Sequence, residues 1–116
     1  MARFYGEVFG WTTIARDEPT KGLEGSPWIL MGDPHGGPTV SFQAERWYEP
    51  PTWPETERAP TKMMHLEVEV DSVDEAVAIV VRAGGRVAPH QPPDRDSTRL
   101  RVMLDPAGHP FCLCEA

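Results

Sequence analysis

Long hydrophobic runs and cysteine are both scarce in this chain. No apolar run approaches the roughly 18 to 20 residues that a membrane-spanning helix needs, so we expect no membrane partner. The N-terminus lacks the basic and then apolar plan of a signal peptide, which predicts a cytoplasmic protein. The only two cysteines, Cys112 and Cys114, cannot build the disulfide framework of a secreted domain, and we expect free thiols.

Basic residues are too few for a nucleic-acid-binding protein. Lys and Arg total 11 against 18 Asp and Glu, which gives a formal net charge of −7 at pH 7. This balance argues against a nucleic-acid partner and favours neutral or cationic ligands. The sequence also has no Gly-rich phosphate loop, no Ser-His-Asp order and no metal-finger spacing, which removes most familiar enzyme classes.

A turn followed by an apolar strand occurs twice in the sequence. Asp105 opens the second copy, in which Asp-Pro starts a turn, glycine supplies a permissive φ and a later proline begins a strand. Asp33 opens the same arrangement in the first half of the chain. The repetition predicts two similar modules within the 116 residues, a length that suits one domain.

The second half has the clearer pattern. Strict alternation of apolar and polar residues predicts a strand over Met64–Val70. Ser72 and Glu75 have the spacing of a capping box, and the apolar stripe of the helix that follows runs up to Gly84. We expect the remaining strands at 86–88, 99–104 and 111–114. The order is therefore β-α-β-β-β.

The first half predicts the same order without its opening strand. We expect a helix over 2–10 and strands at 11–16, 28–31 and 39–43. Prolines between the halves prevent regular structure, and the aromatic residues among them either cover a ligand or fasten the connector to the domain. The predicted organisation is one domain made of module one (1–44), a Pro-rich connector (45–61) and module two (62–116).

Six short motifs follow one another in a characteristic order. They are Phe4–Trp11, Val40–Gln43, Trp53–Pro54, His65–Val68, Ala83–Gly85 and Asp105–Leu113. Together they resemble a glyoxalase-like domain of the vicinal oxygen chelate superfamily, which includes bleomycin-resistance proteins and extradiol dioxygenases. The resemblance implies an α+β fold of paired βαβββ modules. These would form an open, U-shaped half-barrel around a central cleft, with the first strand of module one absent from this chain.

The resemblance also implies where a divalent metal would be held. Metal-using members take one ligand from the first and one from the last strand of each module. His65 falls on the first strand of module two, and Cys112 falls on its last strand, where a carboxylate is usual. In module one the last-strand position falls on Val40 if the repeat sets the register, or near Ser41 or Gln43 if the register slips by one.

A catalytic metal needs about three protein ligands, so we expect no complete metal site and no cofactor. The alternative is a divalent metal with His65 as one ligand. His65 is otherwise a cleft-facing histidine that hydrogen-bonds a ligand or a neighbour, and Cys112 more often packs than reacts. The cleft candidates are His65, Glu67, Gln43, Cys112, Trp47 and Trp53.

The resemblance implies a protein that binds a small molecule in the cleft. The alternatives are a metal-dependent lyase or dioxygenase of the glyoxalase type and an antibiotic-sequestering resistance protein. An unpaired strand edge in module one invites pairing with another chain, so we expect a homodimer. The alternative for that edge is a chain that continues upstream of Met1.

Overall fold

The computed structural model describes residues 1–19 and 27–115, and these form two helices and seven strands. Their order is α1 (Ala2–Phe9), β1 (Thr12–Arg16), β2 (Trp28–Gly32), β3 (Thr39–Gln43), β4 (Glu67–Val70), α2 (Val73–Arg82), β5 (Arg86–Val87), β6 (Leu100–Leu104) and β7 (Pro110–Glu115). The predicted α+β class and the order α-β-β-β, then β-α-β-β-β, are confirmed. Most of the loop predicted at 17–26 lies outside the described residues.

The chain divides into two compact units, Met1–Tyr48 and Glu49–Ala116. In the first unit, β1, β2 and β3 form an antiparallel sheet in that order. Aromatic side chains fill its core, because Tyr5 on α1 stacks on Phe9 and on Phe42, with ring centroids 5.6 and 5.1 Å apart. Since Phe42 packs on Tyr5, this side of β3 is the side that faces the helix.

The second unit has a four-stranded sheet in the order β4-β7-β6-β5. β4 runs parallel to β7, and the other pairs are antiparallel. The predicted helix cap is confirmed, since the Ser72 hydroxyl accepts the N–H of Glu75 at 3.4 Å. No helix in the described part of the chain is long and apolar enough to cross a membrane.

The two faces of this second sheet are both apolar at their centre. On one face lies a buried cluster of Ala88, Val102, Leu104 and Cys112. α2 contacts β5, β6 and β7, yet contributes no residue to that cluster. We infer that α2 covers the opposite face, where the alternating residues Met103, Phe111 and Leu113 are almost fully buried. The face with Cys112, called here the Cys112 face, is the one away from the helix.

β4 begins later than the sequence pattern predicts. The ladder covers Glu67–Val70 rather than Met64–Val70, although the N–H of Cys112 still donates to the Leu66 carbonyl at 2.9 Å. The next donor along β7 would be the backbone nitrogen of Pro110, which carries no hydrogen. The parallel ladder therefore ends there, and the preceding residues lie outside the sheet.

A buried carboxylate shapes the turn between β6 and β7. Asp105 is fully buried and accepts the backbone N–H groups of Ala107 and His109, each at 2.9 Å. The His109 ring nitrogen Nδ1 lies 3.2 Å from the other carboxylate oxygen. In the first copy of the turn, the exposed Asp33 accepts the N–H of His35 at 2.7 Å. The turns share a motif but differ in how deeply it is buried.

Candidate functional site

His65 and Cys112 meet on the Cys112 face of the second sheet. Glu67 pairs with Cys112 in register, so the residue two before it, His65, extends along the same face. The ring nitrogen Nε2 of His65 lies 3.1 Å from the sulfur of Cys112. His65 is exposed as a residue, but this end of its ring rests against the sheet. The structure thus brings together three of the predicted site residues.

The imidazole of His65 favours its neutral form. Burial against the sheet, and then the nearby Lys62 ammonium, lower its pKa below the ordinary 6.5. Glu67 and a hydrogen bond with the backbone of Pro110 act in the opposite direction and only reduce the shift. His65 is therefore neutral at pH 7, with one ring nitrogen as donor and the other as acceptor.

The thiol of Cys112 also stays neutral. Burial, and then Cys114 and Glu67, raise its pKa from the ordinary 9.0 to about 11, against a smaller opposing effect of Lys62. Burial, and then Glu67 and Glu69, raise the pKa of Cys114. Both cysteines are free, as predicted, and Cys112 packs in the apolar cluster. A thiol held in this form is a weak nucleophile and a weak metal ligand.

Trp53 closes one side of the Cys112 face. It packs against the apolar cluster, and its indole N–H donates to the His90 carbonyl at 3.1 Å. The ammonium of Lys62 lies 3.9 Å from the centroid of the Trp53 ring, within the range of a cation–π interaction. The amide of Gln91 donates to two backbone carbonyls and accepts the N–H of Val102, which fixes the loop that carries His90.

Two shallow depressions lie on the second unit. One, of about 320 Å³, is lined by Thr52, Trp53, Pro54, Glu55 and Lys62. The other, of about 420 Å³, is lined by Glu69, Val70, Asp71 and Glu115. The first adjoins the Trp53 ring and has the volume of a small-ligand site. The second is more open and acidic, and neither His65 nor Cys112 lines either depression.

The remaining candidates, Gln43 and Trp47, belong to the first unit. Gln43 is exposed and donates from its amide to Glu45 at 2.7 Å. Trp47 has 84% of its surface exposed and contacts Arg46, whose guanidinium carbon lies 5.5 Å from the ring centroid. Within this unit the two side chains take part in separate contacts.

The register of β3 settles which residue of the first unit matches Cys112. β2 and β3 pair Gly32 with Thr39, whereas β6 and β7 pair Leu104 with Pro110. The first turn is therefore one residue longer than the second. By strand register, Ser41 and not Val40 is therefore the counterpart of Cys112.

A family model for the glyoxalase-like domain matches residues 1–114. The chain belongs to the glyoxalase-like domain family. It is thereby a member of the vicinal oxygen chelate superfamily. A search of curated proteins gave no match.

Solved structures share the fold of this glyoxalase-like domain at low sequence identity. A glyoxalase/bleomycin resistance protein/dioxygenase family enzyme from Burkholderia phytofirmans PsJN is 18% identical, with a TM-score of 0.62 over 99% of this chain and 87% of the other. A glyoxalase family protein from Enterococcus faecalis is 19% identical, with a TM-score of 0.64 over 97% and 84%. A glyoxalase-related enzyme from Fulvimarina pelagi is 21% identical, with a TM-score of 0.58 over 99% and 77%.

The donor set of this glyoxalase-like domain does not fit the divalent metal that the superfamily often uses. Within residues 1–19 and 27–115, no group of three or more His, Cys, Asp or Glu side chains could hold a metal ion. His65 is the one ordinary ligand at a family position, because Cys112 is a protonated thiol and its counterpart Ser41 is a neutral hydroxyl.

Sequence reasoning missed Lys62, His90 and Gln91. Lys62 gave no signal because a lone lysine just after the Pro-rich connector is part of no sequence pattern. His90 acts through its backbone carbonyl, which is independent of residue type, and the role of Gln91 depends on a loop folding back onto β6. The aromatic next to Pro54 was the one available signal for this part of the site.

Proposed function

We propose that the protein binds a small, planar, cationic molecule on the Cys112 face beside Trp53, without a resident metal. The observation that carries the proposal is the contact of 3.1 Å between Nε2 of His65 and the sulfur of Cys112. A neutral imidazole and a neutral thiol form a hydrogen-bonding pair where the superfamily would place metal ligands. Such a pair recognises polar groups of a ligand and supplies no strong Lewis acid or nucleophile.

The surroundings of this pair favour a cationic ligand. The Lys62 ammonium already rests on the Trp53 ring, so that surface accommodates a positive charge. Glu67 lies in the same row as Cys112, and Glu69 follows it on the same face. A flat cation would replace Lys62 on the indole, while its polar groups would reach His65.

The test uses ethidium, a small, planar and permanently cationic molecule, as the probe. We expect saturable binding, followed by isothermal titration calorimetry, with a loss of at least tenfold in affinity in Trp53→Leu and in His65→Ala. Trp47→Leu is the matched control, since that ring is exposed in the first unit, and it should bind as the parent does. Equal weakening in the control, or no binding by the parent, would refute the proposal.

A metal-dependent lyase or dioxygenase is the competing function, because His65 occupies a ligand position of the superfamily. Elemental analysis after extensive dialysis separates the two. Stoichiometric divalent metal that is retained by the parent and lost in His65→Ala would overturn the metal-free proposal. A metal content that is equal in the two proteins and well below one ion per chain agrees with the metal-free proposal.

A further inference from the structure

We propose that Lys62 is an internal competitor for the Trp53 ring, which a cationic ligand must displace in order to bind. The proposal rests on the proposed function and adds the residue that limits the affinity of the site for cations. It starts from a positive charge that the chain itself places on the ring.

The ammonium of Lys62 occupies the position that a ligand cation would take. Its nitrogen lies 3.9 Å from the centroid of the Trp53 ring, well inside the distance of about 6 Å over which a cation–π interaction acts. Lys62 is half-buried, whereas Thr61 and Met63 on either side of it are exposed. The lysine side chain is therefore packed on the indole and does not extend into solvent.

The connector holds the Trp53 ring in place. The N–H of Thr52 donates to the Pro60 carbonyl at 2.7 Å, which joins the segment that carries the ring to the segment that leads to the lysine. A Cβ atom at Gly108 would lie 2.9 Å from Cβ of Pro50, so the start of the connector packs directly on the turn between β6 and β7. The ring cannot move away from the ammonium without loss of these contacts. A ligand therefore displaces the flexible lysine side chain and not the ring.

The charges around the depression indicate which kind of ligand can displace the lysine. Glu55 and Lys62 are the two charged residues among the five that line it. Once the ammonium has left, Glu55 alone of these lining residues is charged, and a cation on the ring restores the balance. Burial first and this ammonium second lower the pKa of His65, so the ammonium also lies near the neutral pair. A planar cation that contacts both Trp53 and His65 thus takes over the position of the ammonium.

The lysine sets the apparent affinity through the fraction of molecules in which the ring is free. A cation–π interaction at a partly exposed site gives an equilibrium of about four to one in favour of the occupied ring, so the ring is free in about one fifth of the molecules. The apparent dissociation constant for a cation is therefore about fivefold higher than that of the same site without the lysine. Lys62 thus limits how tightly the site holds a cation and covers the ring when no ligand is bound.

The test measures ethidium binding by isothermal titration calorimetry. Lys62→Ala should lower the dissociation constant about fivefold relative to the parent, whereas Lys62→Arg, which keeps a cation on the ring, should not lower it. Arg46→Ala is the matched control, because Arg46 forms the corresponding cation–π contact with Trp47 in the first unit and its removal changes the net charge by the same amount. A gain in Arg46→Ala equal to that in Lys62→Ala, or equal dissociation constants in the parent and Lys62→Ala, would overturn the proposal.

A measurement without ligand separates this proposal from the proposed function. In the NMR spectrum of the free protein, the ε-methylene protons of Lys62 should resonate upfield of those of an ordinary lysine because of the Trp53 ring current, and this shift should disappear in Trp53→Leu. An ordinary position in the parent would overturn the competitor role and leave the proposed function standing. With the shift present, binding of ethidium to neither the parent nor Lys62→Ala would refute the proposed function and, with it, the competitor role.

Discussion

The alkylation rate of Cys112 tests whether the histidine and the thiol form a neutral pair. In the single-cysteine variant Cys114→Ala, which keeps burial as the main cause of the raised pKa, reaction with iodoacetamide follows the thiolate fraction. The pKa of about 11, against the ordinary 9.0, means that this fraction is about 100 times smaller at pH 8 than in an unperturbed cysteine. We expect a rate that keeps rising tenfold per pH unit through pH 10.

The test depends on the shape of the pH profile and not on the absolute alkylation rate, because burial lowers that rate at every pH. Mass spectrometry of the intact protein gives the rates, and the same variant in urea supplies the reference with its midpoint near the ordinary value. His65→Gln should leave the profile of the folded protein almost unchanged if the pair is neutral. A plateau below pH 9 that disappears in His65→Gln would reveal an imidazolium–thiolate ion pair and refute the reasoning.

Two further predictions concern stability in urea. Asp105→Ala removes the buried carboxylate that accepts the N–H groups of Ala107 and His109 and should cost about 3 kcal/mol, whereas Asp33→Ala, in the exposed copy of the turn, should cost less than about 1 kcal/mol. Similar costs in the two variants would contradict this account. The folded protein lowers the pKa of His65. The contribution of the neutral His65 ring to the free energy of unfolding is therefore present above pH 6.5 and is lost as the pH falls through the lowered pKa. The parent should therefore lose more stability than His65→Gln between pH 7.5 and pH 5. Equal losses of stability in the two proteins would contradict a lowered pKa of His65.

Most of the fold was accessible from the sequence because its signals are local. The capping box at Ser72 and the uncharged strand Thr39–Gln43 depend on neighbours along the chain, and both were predicted with the right bounds or cap. The predicted start of β4 was wrong because the alternation pattern describes a single strand, whereas a ladder also needs backbone hydrogen-bond donors on the neighbouring strand. That donor is missing at Pro110, 46 positions after Met64 in the chain.

The candidate site was less accessible because its contacts join distant segments. Sequence reasoning chose His65, Glu67 and Cys112, which one sheet face brings together. It had no means of placing Lys62 over the Trp53 ring, since that contact depends on the path of an irregular connector. Whether Val40 or Ser41 matched Cys112 depended on the length of one turn, which the repeated Asp-Pro motif does not reveal.

The extra residue in the first turn shows how a duplicated chain tolerates a change of length. The second turn is one residue shorter, yet the alternate residues of β7 that include Phe111 face its helix, as those of β3 that include Phe42 face α1. The insertion is therefore absorbed within the turn and leaves the inside and the outside of the strand unchanged. The lengths of turns can thus drift between the halves while both cores keep one pattern.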